Sequence, residues 1–122
     1  MRTGFTHLSV DDLVDRFIEI SIAQSEALFR EEITRFNSLY RQMDQVGNEL
    51  KRREGDARTA LMRLYGHPNF HVRLNAAKRT LAVAPEAARQ ELRAIAASKH
   101  HPQAMDAGMS LWNLDRGVFR PT

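Results

Sequence analysis

Cysteine is absent from the 122 residues. That one lack removes disulfides, thiolate nucleophiles and cysteine-based zinc sites together, leaving packing as the source of stability. Long apolar runs are missing as well. No segment approaches the roughly 18 uninterrupted apolar residues of a membrane span, and Met1 to Val10 lacks the apolar stretch of a secretory signal. The expected compartment is the cytoplasm. There is no Gly-rich phosphate loop, no serine in a nucleophile turn and no His-Glu dipeptide. No enzyme activity, catalytic residue, metal or cofactor is therefore expected. Alternating apolar and polar runs of the strand type are missing too.

What is present fits one helical domain over residues 1–122, with 43% hydrophobic and 27% charged residues, an ordinary balance for a globular chain. The net charge of +3 is unevenly spread: residues 1–56 hold 8 basic and 11 acidic side chains, and residues 57–122 hold 10 and 4. Fifteen of the 18 basic residues are Arg, whose planar fork suits carboxylates and phosphates. An excess of that size in the second half favours an acidic partner but falls short of a nucleic-acid-binding tract.

Helix signals run the length of the chain. Ser9 followed by Asp12 resembles a capping box and opens a helix carrying Val10, Leu13, Val14, Phe17 and Ile18. Its end has no Gly or Pro, and only Ser25-Glu26 hints at a break, so one bent helix is the alternative. Phe29, Ile33, Phe36, Tyr40, Met43, Gly47 and Leu50 then follow a 4-3 spacing and predict a long amphipathic helix closed by Lys51-Arg52-Arg53 and Gly55. Residues 9–53 thus form an N-terminal helical cap. Residues 56–117 form a repeat half, with helix starts at Asp56, Asn69 and Pro85, a turn at Ser98 to Pro102, and a stop at Gly117.

The repeat half carries a degenerate period of 31 residues. Leu61 and Leu64 recur as Leu92 and Ile95, and Asn75, Ala76, Ala77 and Leu81 recur as Asp106, Ala107, Gly108 and Trp112. Units of helix, turn, helix are the grammar of an alpha-alpha superhelix. With barely two such units, the N-terminal helices are expected to supply the missing layer.

The run Pro68-Asn69-Phe70-His71-Val72-Arg73-Leu74-Asn75-Ala76-Ala77 resembles the first helix of a HEAT repeat. Together with Phe36 to Tyr40, Glu49-Leu50 and Leu111 to Gly117, nearly the whole chain resembles a small bacterial HEAT-like family, all-helical and catalogued as a domain of unknown function. The resemblance implies a compact superhelix and supplies no catalytic residue. In its HEAT position Arg73 is expected to bond a carboxylate of the following unit, with Asp106 the candidate. Trp112, aligned with Leu81, is expected to face the core. HEAT-like DNA glycosylases combine acidic residues with aromatics, but Asp106 and Asp115 lie nine residues apart here and those proteins are much longer.

His67, His71, His100 and His101 offer four imidazoles. Pro68 nevertheless keeps His67 off the helix that His71 occupies, so they do not make an H-x-x-x-H metal motif. The leading expectation is a non-enzymatic protein-interaction module, monomer or weak homodimer, docking an acidic protein partner through Arg63, Lys78, Arg79, Arg89 and Arg93. Nucleic-acid binding through the same side chains and an immunity or antidote role against a toxin are the alternatives, with a His-metal enzyme behind them.

Overall fold

A computed structural model describes residues 5–122, which divide after Ala60 into two compact units. Among the described residues there is no strand, so the chain is all-α. No described helix is long and apolar enough to cross a membrane.

The first unit is built on a pair of 20-residue helices, α1 (Val10–Phe29) and α2 (Ile33–Arg52), packed against each other. Ser9 caps α1 as its sequence predicts, its hydroxyl accepting from the Asp12 amide at 3.0 Å, and Asp11 and Asp12 lie in the first turn. Carboxylates there meet the positive end of the helix dipole. Leu13, Val14, Phe17, Ile20 and Ala27 of α1 and Met43, Val46 and Leu50 of α2 are buried. At the far end of α2 the buried carboxylate of Glu49 is held by Arg52 and, at 2.7 Å, by Arg53. Hydrogen bonds from Arg53 and then Arg52 hold that carboxyl below its ordinary range. Arg53 also donates to the Phe5 carbonyl at 3.2 Å. Arg52 and Arg53 are thus engaged at the end of α2, and Arg53 ties down residues 5 and 6.

The break between the two helices falls later than Ser25-Glu26. α1 continues to Phe29, and the chain turns through Arg30, Glu31 and Glu32. Glu31 takes φ 57°, its amide donates to Leu28 O, and the Glu32 amide reaches back to Ala27 O. This pair of bonds is a Schellman closure, normally made with Gly at the left-handed position. Glu in that position is why the stop signal was invisible. The heptad stripe is consequently split between two helices. Met43, Gly47 and Leu50 are buried, whereas Phe29, Ile33 and Tyr40 face solvent.

The second unit contains α3 (Phe70–Arg79), α4 (Pro85–Ala97) and α5 (Gln103–Asp115), preceded by a 3-10 helix (Ala57–Leu64) that begins in the first unit. That tighter helix stands where an α-helix capped by Asp56 was expected. Asp56 does accept from the Arg58 amide at 3.3 Å, as an N-cap side chain does, but from φ 56° and while also accepting from the Arg58 guanidinium at 2.7 and 2.9 Å. Asn69 does cap α3, accepting from the amides of His71 and Val72, and Pro85 opens α4. α3 packs on α4, α4 on α5, and α3 on α5. Leu74, Ala77, Leu81, Ala88, Leu92, Ile95 and Ala107 form the core of this unit, with Leu111 and Leu114 against it.

Candidate functional site

The side chains singled out for chemistry or binding in the repeat half all lie in the second unit, and the structure sorts them into a tied interior and an open face. Arg73 pairs with Glu91 of α4, not with Asp106, its Nε donating at 2.8 Å and a second nitrogen at 3.2 Å. Glu91 also accepts from the Gly66 amide at 2.8 Å, so one carboxylate ties the turn before α3, α3 itself and α4. A charge-assisted, two-pronged bond of this kind is strong and directional. Arg73 further lies over the Phe70 ring, 4.9 Å from its centroid, and His100 stacks on Phe70 at 4.2 Å. Glu91 is the residue that sequence reasoning missed. Its only signal was its place beside the apolar stripe, one turn from Ala88 and one from Ile95.

Asp106 is occupied elsewhere, accepting from Lys78 Nζ at 3.0 Å and from Ser110 Oγ at 3.2 Å. Asp115 accepts from Arg89 at 2.9 Å. Two of the five proposed contact residues, Lys78 and Arg89, are thereby drawn into ion pairs between helices. Arg63 and Arg93 are exposed and Arg79 is half-buried. The five lie on the 3-10 helix, α3 and α4.

The four histidines serve different ends. His67 Nδ1 accepts from the Asn69 amide at 2.9 Å, within its turn. His71 is buried, 3.3 Å from the Gln103 amide, and desolvation pushes its pKa down to about 4. His100 is the stacking partner of Phe70, and His101 is exposed ahead of a cis peptide to Pro102. Among the described residues no group of three or more His, Asp and Glu side chains is placed to hold a metal ion.

The open face belongs to α5. Its inner side sets Gln103, Ala104 and Ala107 inward, while Met105, Met109 and Trp112, at i, i+4 and i+7, form one outward stripe. Trp112 therefore departs from the core position predicted from Leu81 and is 55% exposed. The reason is local: α3 ends at Arg79, so Leu81 follows in a turn that folds back onto the core, whereas Trp112 is still inside α5. Arg116 lies over the indole at 4.7 Å from its centroid. Beside the stripe runs an open groove of about 450 Å³, lined by Lys78, Pro102, Met105, Asp106, Met109, Ser110 and Asn113. The apolar stripe is thus bordered by the Lys78–Asp106 ion pair, by Ser110 bonded to the same carboxylate, and by Arg116.

The chain is similar to a solved protein, RPA1889 from Rhodopseudomonas palustris CGA009, whose crystal structure superposes with a TM-score of 0.96 at 48% identity, covering 99% of this chain and 100% of that one. No curated protein matches it. A family model described as a domain of unknown function, DUF2019, matches residues 11–115, from the first turn of α1 to the last residue of α5. By that match the chain belongs to the DUF2019 family.

Proposed function

We propose that this chain is a non-enzymatic, cytoplasmic protein-interaction module, in which residues 61–122 form a short HEAT-like superhelical stack and α5 offers the contact face. The observation that carries the reading is the stripe of Met105, Met109 and Trp112, three large apolar side chains in a row and each more than half exposed. Single exposed apolar residues are ordinary, but a contiguous stripe beside a groove fits the reception of an amphipathic helix. Methionine adapts its shape to a partner, and tryptophan is a frequent anchor of protein interfaces.

The partner that fits is a protein segment with an apolar face and acidic flanks. Residues 61–122 carry 9 basic and 4 acidic side chains, so this unit projects a positive field. The reading is supported by Arg116 over the Trp112 ring and by Lys78 on the groove, two cations beside the apolar stripe, although Lys78 would share its charge between a partner carboxylate and Asp106. Arg63, Arg79, Arg89 and Arg93 contribute to the field, and α5 provides the anchor. The superhelical reading is supported by the pairwise packing of α3, α4 and α5. It is supported also by the 31-residue period, which recurs in burial at Leu61 and Leu92, at Leu64 and Ile95, and at Ala76 and Ala107.

Trp112 is the only tryptophan, so it reports on its own surface. Wild-type protein and a Met109→Glu variant are used as baits in a native lysate, and any protein held by the first and lost by the second is purified and titrated. Binding should shift the Trp112 emission to the blue, with an affinity at least tenfold weaker for Met109→Glu. A binder indifferent to Met109, or one that leaves Trp112 emission unchanged, overturns the assignment. Recovery of nucleic acid that is released by raising salt supports the electrostatic alternative instead.

A further inference from the structure

The first unit carries an apolar surface of its own, at the tip where α1 turns into α2. Phe29 is 91% exposed and Ile33 is 73% exposed, unusually open for side chains of that size. Within one turn of Phe29 lies a pocket of about 250 Å³ lined by Ala27, Leu28, Glu31, Glu32, Ile33 and Phe36. A projecting ring and an apolar recess thus share the same small patch of one hairpin.

We infer that this tip joins two copies of the chain about a two-fold axis, with Phe29 of each copy seated in the recess of the other. An isologous contact requires one patch to be complementary to itself, and a knob beside its own hole meets that requirement. The recess is ample for the ring, since a cavity of about 150 Å³ accommodates benzene. The charges of the tip lead to the same occupant. Its rim holds Glu26, Glu31 and Glu32 alongside Arg30 and Arg35, and Arg35 already reaches Glu32 at 3.1 Å and Glu26 at 3.8 Å. A rim of both signs, with three Glu against two Arg, gives no preference for a strongly acidic or strongly basic partner and leaves little like charge to oppose a second copy. Leu28 and Tyr40, partly exposed near the tip, extend the apolar area. Together these side chains would bury on the order of 1,000 Å² over both copies, near the lower limit of specific interfaces. The dimer is accordingly weak and reversible.

Sedimentation equilibrium of the purified full chain, over a series reaching several hundred micromolar, tests the assignment. A monomer–dimer equilibrium is expected, weakened at least tenfold by Phe29→Glu and by Ile33→Glu. Both side chains are exposed, so both variants should keep the circular dichroism of the wild type. Met109→Glu, on the other unit, should leave the equilibrium as it is. A chain that stays monomeric throughout overturns the inference, as does a dimer that survives both tip variants. Concentration-dependent growth beyond the dimer overturns the two-fold arrangement. A lysate protein lost on Phe29→Glu, from a bait that is itself monomeric, assigns the tip to a different occupant.

Discussion

His71 shows how much a single side chain can report. Desolvation inside the second unit pushes its pKa down to about 4, with the Asp106 charge opposing the shift and Lys78 reinforcing it. In the unfolded chain the same group titrates near 6.5. Between those values the unfolded state binds a proton that the folded state refuses, so this contribution is intact above about pH 6.5 and is lost as pH falls towards 4. The expected loss is about 2 kcal/mol between pH 7 and pH 5. Glu49 and Asp56 are carboxylates held below their ordinary values of 4.5 and 3.8, so their losses come at lower pH. Urea denaturation at pH 7 and pH 5 should show the fall in wild type and a much smaller one in His71→Gln. A wild type equally stable at both values would contradict the burial of a neutral imidazole. At this same scale, the role of Arg73 was legible in part. That it would bond a carboxylate of a neighbouring helix could be read from the Val-Arg position, but which carboxylate is decided by packing, and Glu91 at the edge of the α4 face lies nearer than Asp106.

Two helix ends make the same hydrogen bonds with different residues. At the end of α5 the Gly117 amide donates to Leu114 O and the Val118 amide to Asn113 O, with Gly117 at φ 72°. At the end of α1 the Glu31 and Glu32 amides repeat this pattern, with Glu31 at φ 57°. Gly117 marks its stop in the sequence; Glu31 carries no such mark, and sequence alone therefore sets the end of α1 too early. The left-handed conformation strains any residue with a Cβ, whereas Gly adopts it freely. Glu31→Gly should therefore stabilise the protein, by about 0.5–1 kcal/mol after the greater freedom of Gly in the unfolded chain is subtracted. Thermal melting checks the sign, and a variant that melts below the wild type would mean that the Glu31 side chain contributes more than its backbone strain removes. Other elements were legible because their chemistry is explicit: Ser9, Asn69 and Pro85 each open the helix they were expected to open. The 3-10 form of residues 57–64 had no such marker, since its apolar spacing at Leu61 and Leu64 is as compatible with an α-helix as with the tighter turn.

At the scale of the whole chain, each of the two units carries one open apolar surface, and the two differ in electrostatic character. Residues 1–60 hold 9 basic and 11 acidic side chains, and the tip at Phe29 and Ile33 has a rim of mixed sign. Residues 61–122 are strongly basic, with Met105, Met109 and Trp112 in line on their last helix. The charge asymmetry was plain in the sequence. The two surfaces were not, because both consist of residues whose spacing matches a core: the stripe from Phe29 to Leu50 reads as one buried seam, and Trp112 stands in register with buried Leu81. Apolar periodicity identifies a face of a helix, and tertiary packing then determines whether anything covers it. Since each surface is formed within one unit, self-association and partner capture should separate cleanly by mutation. Phe29→Glu is expected to weaken the dimer at least tenfold while a partner still shifts the Trp112 emission, and Met109→Glu should do the reverse. Effects of independent changes add, so if the two surfaces act separately the double variant shows the sum of the two losses and no more. Measuring dimerisation and Trp112 titration on all four proteins completes the cycle. If Phe29→Glu also weakened partner binding tenfold, assembly and capture would be one coupled function, with the dimer as the species that binds.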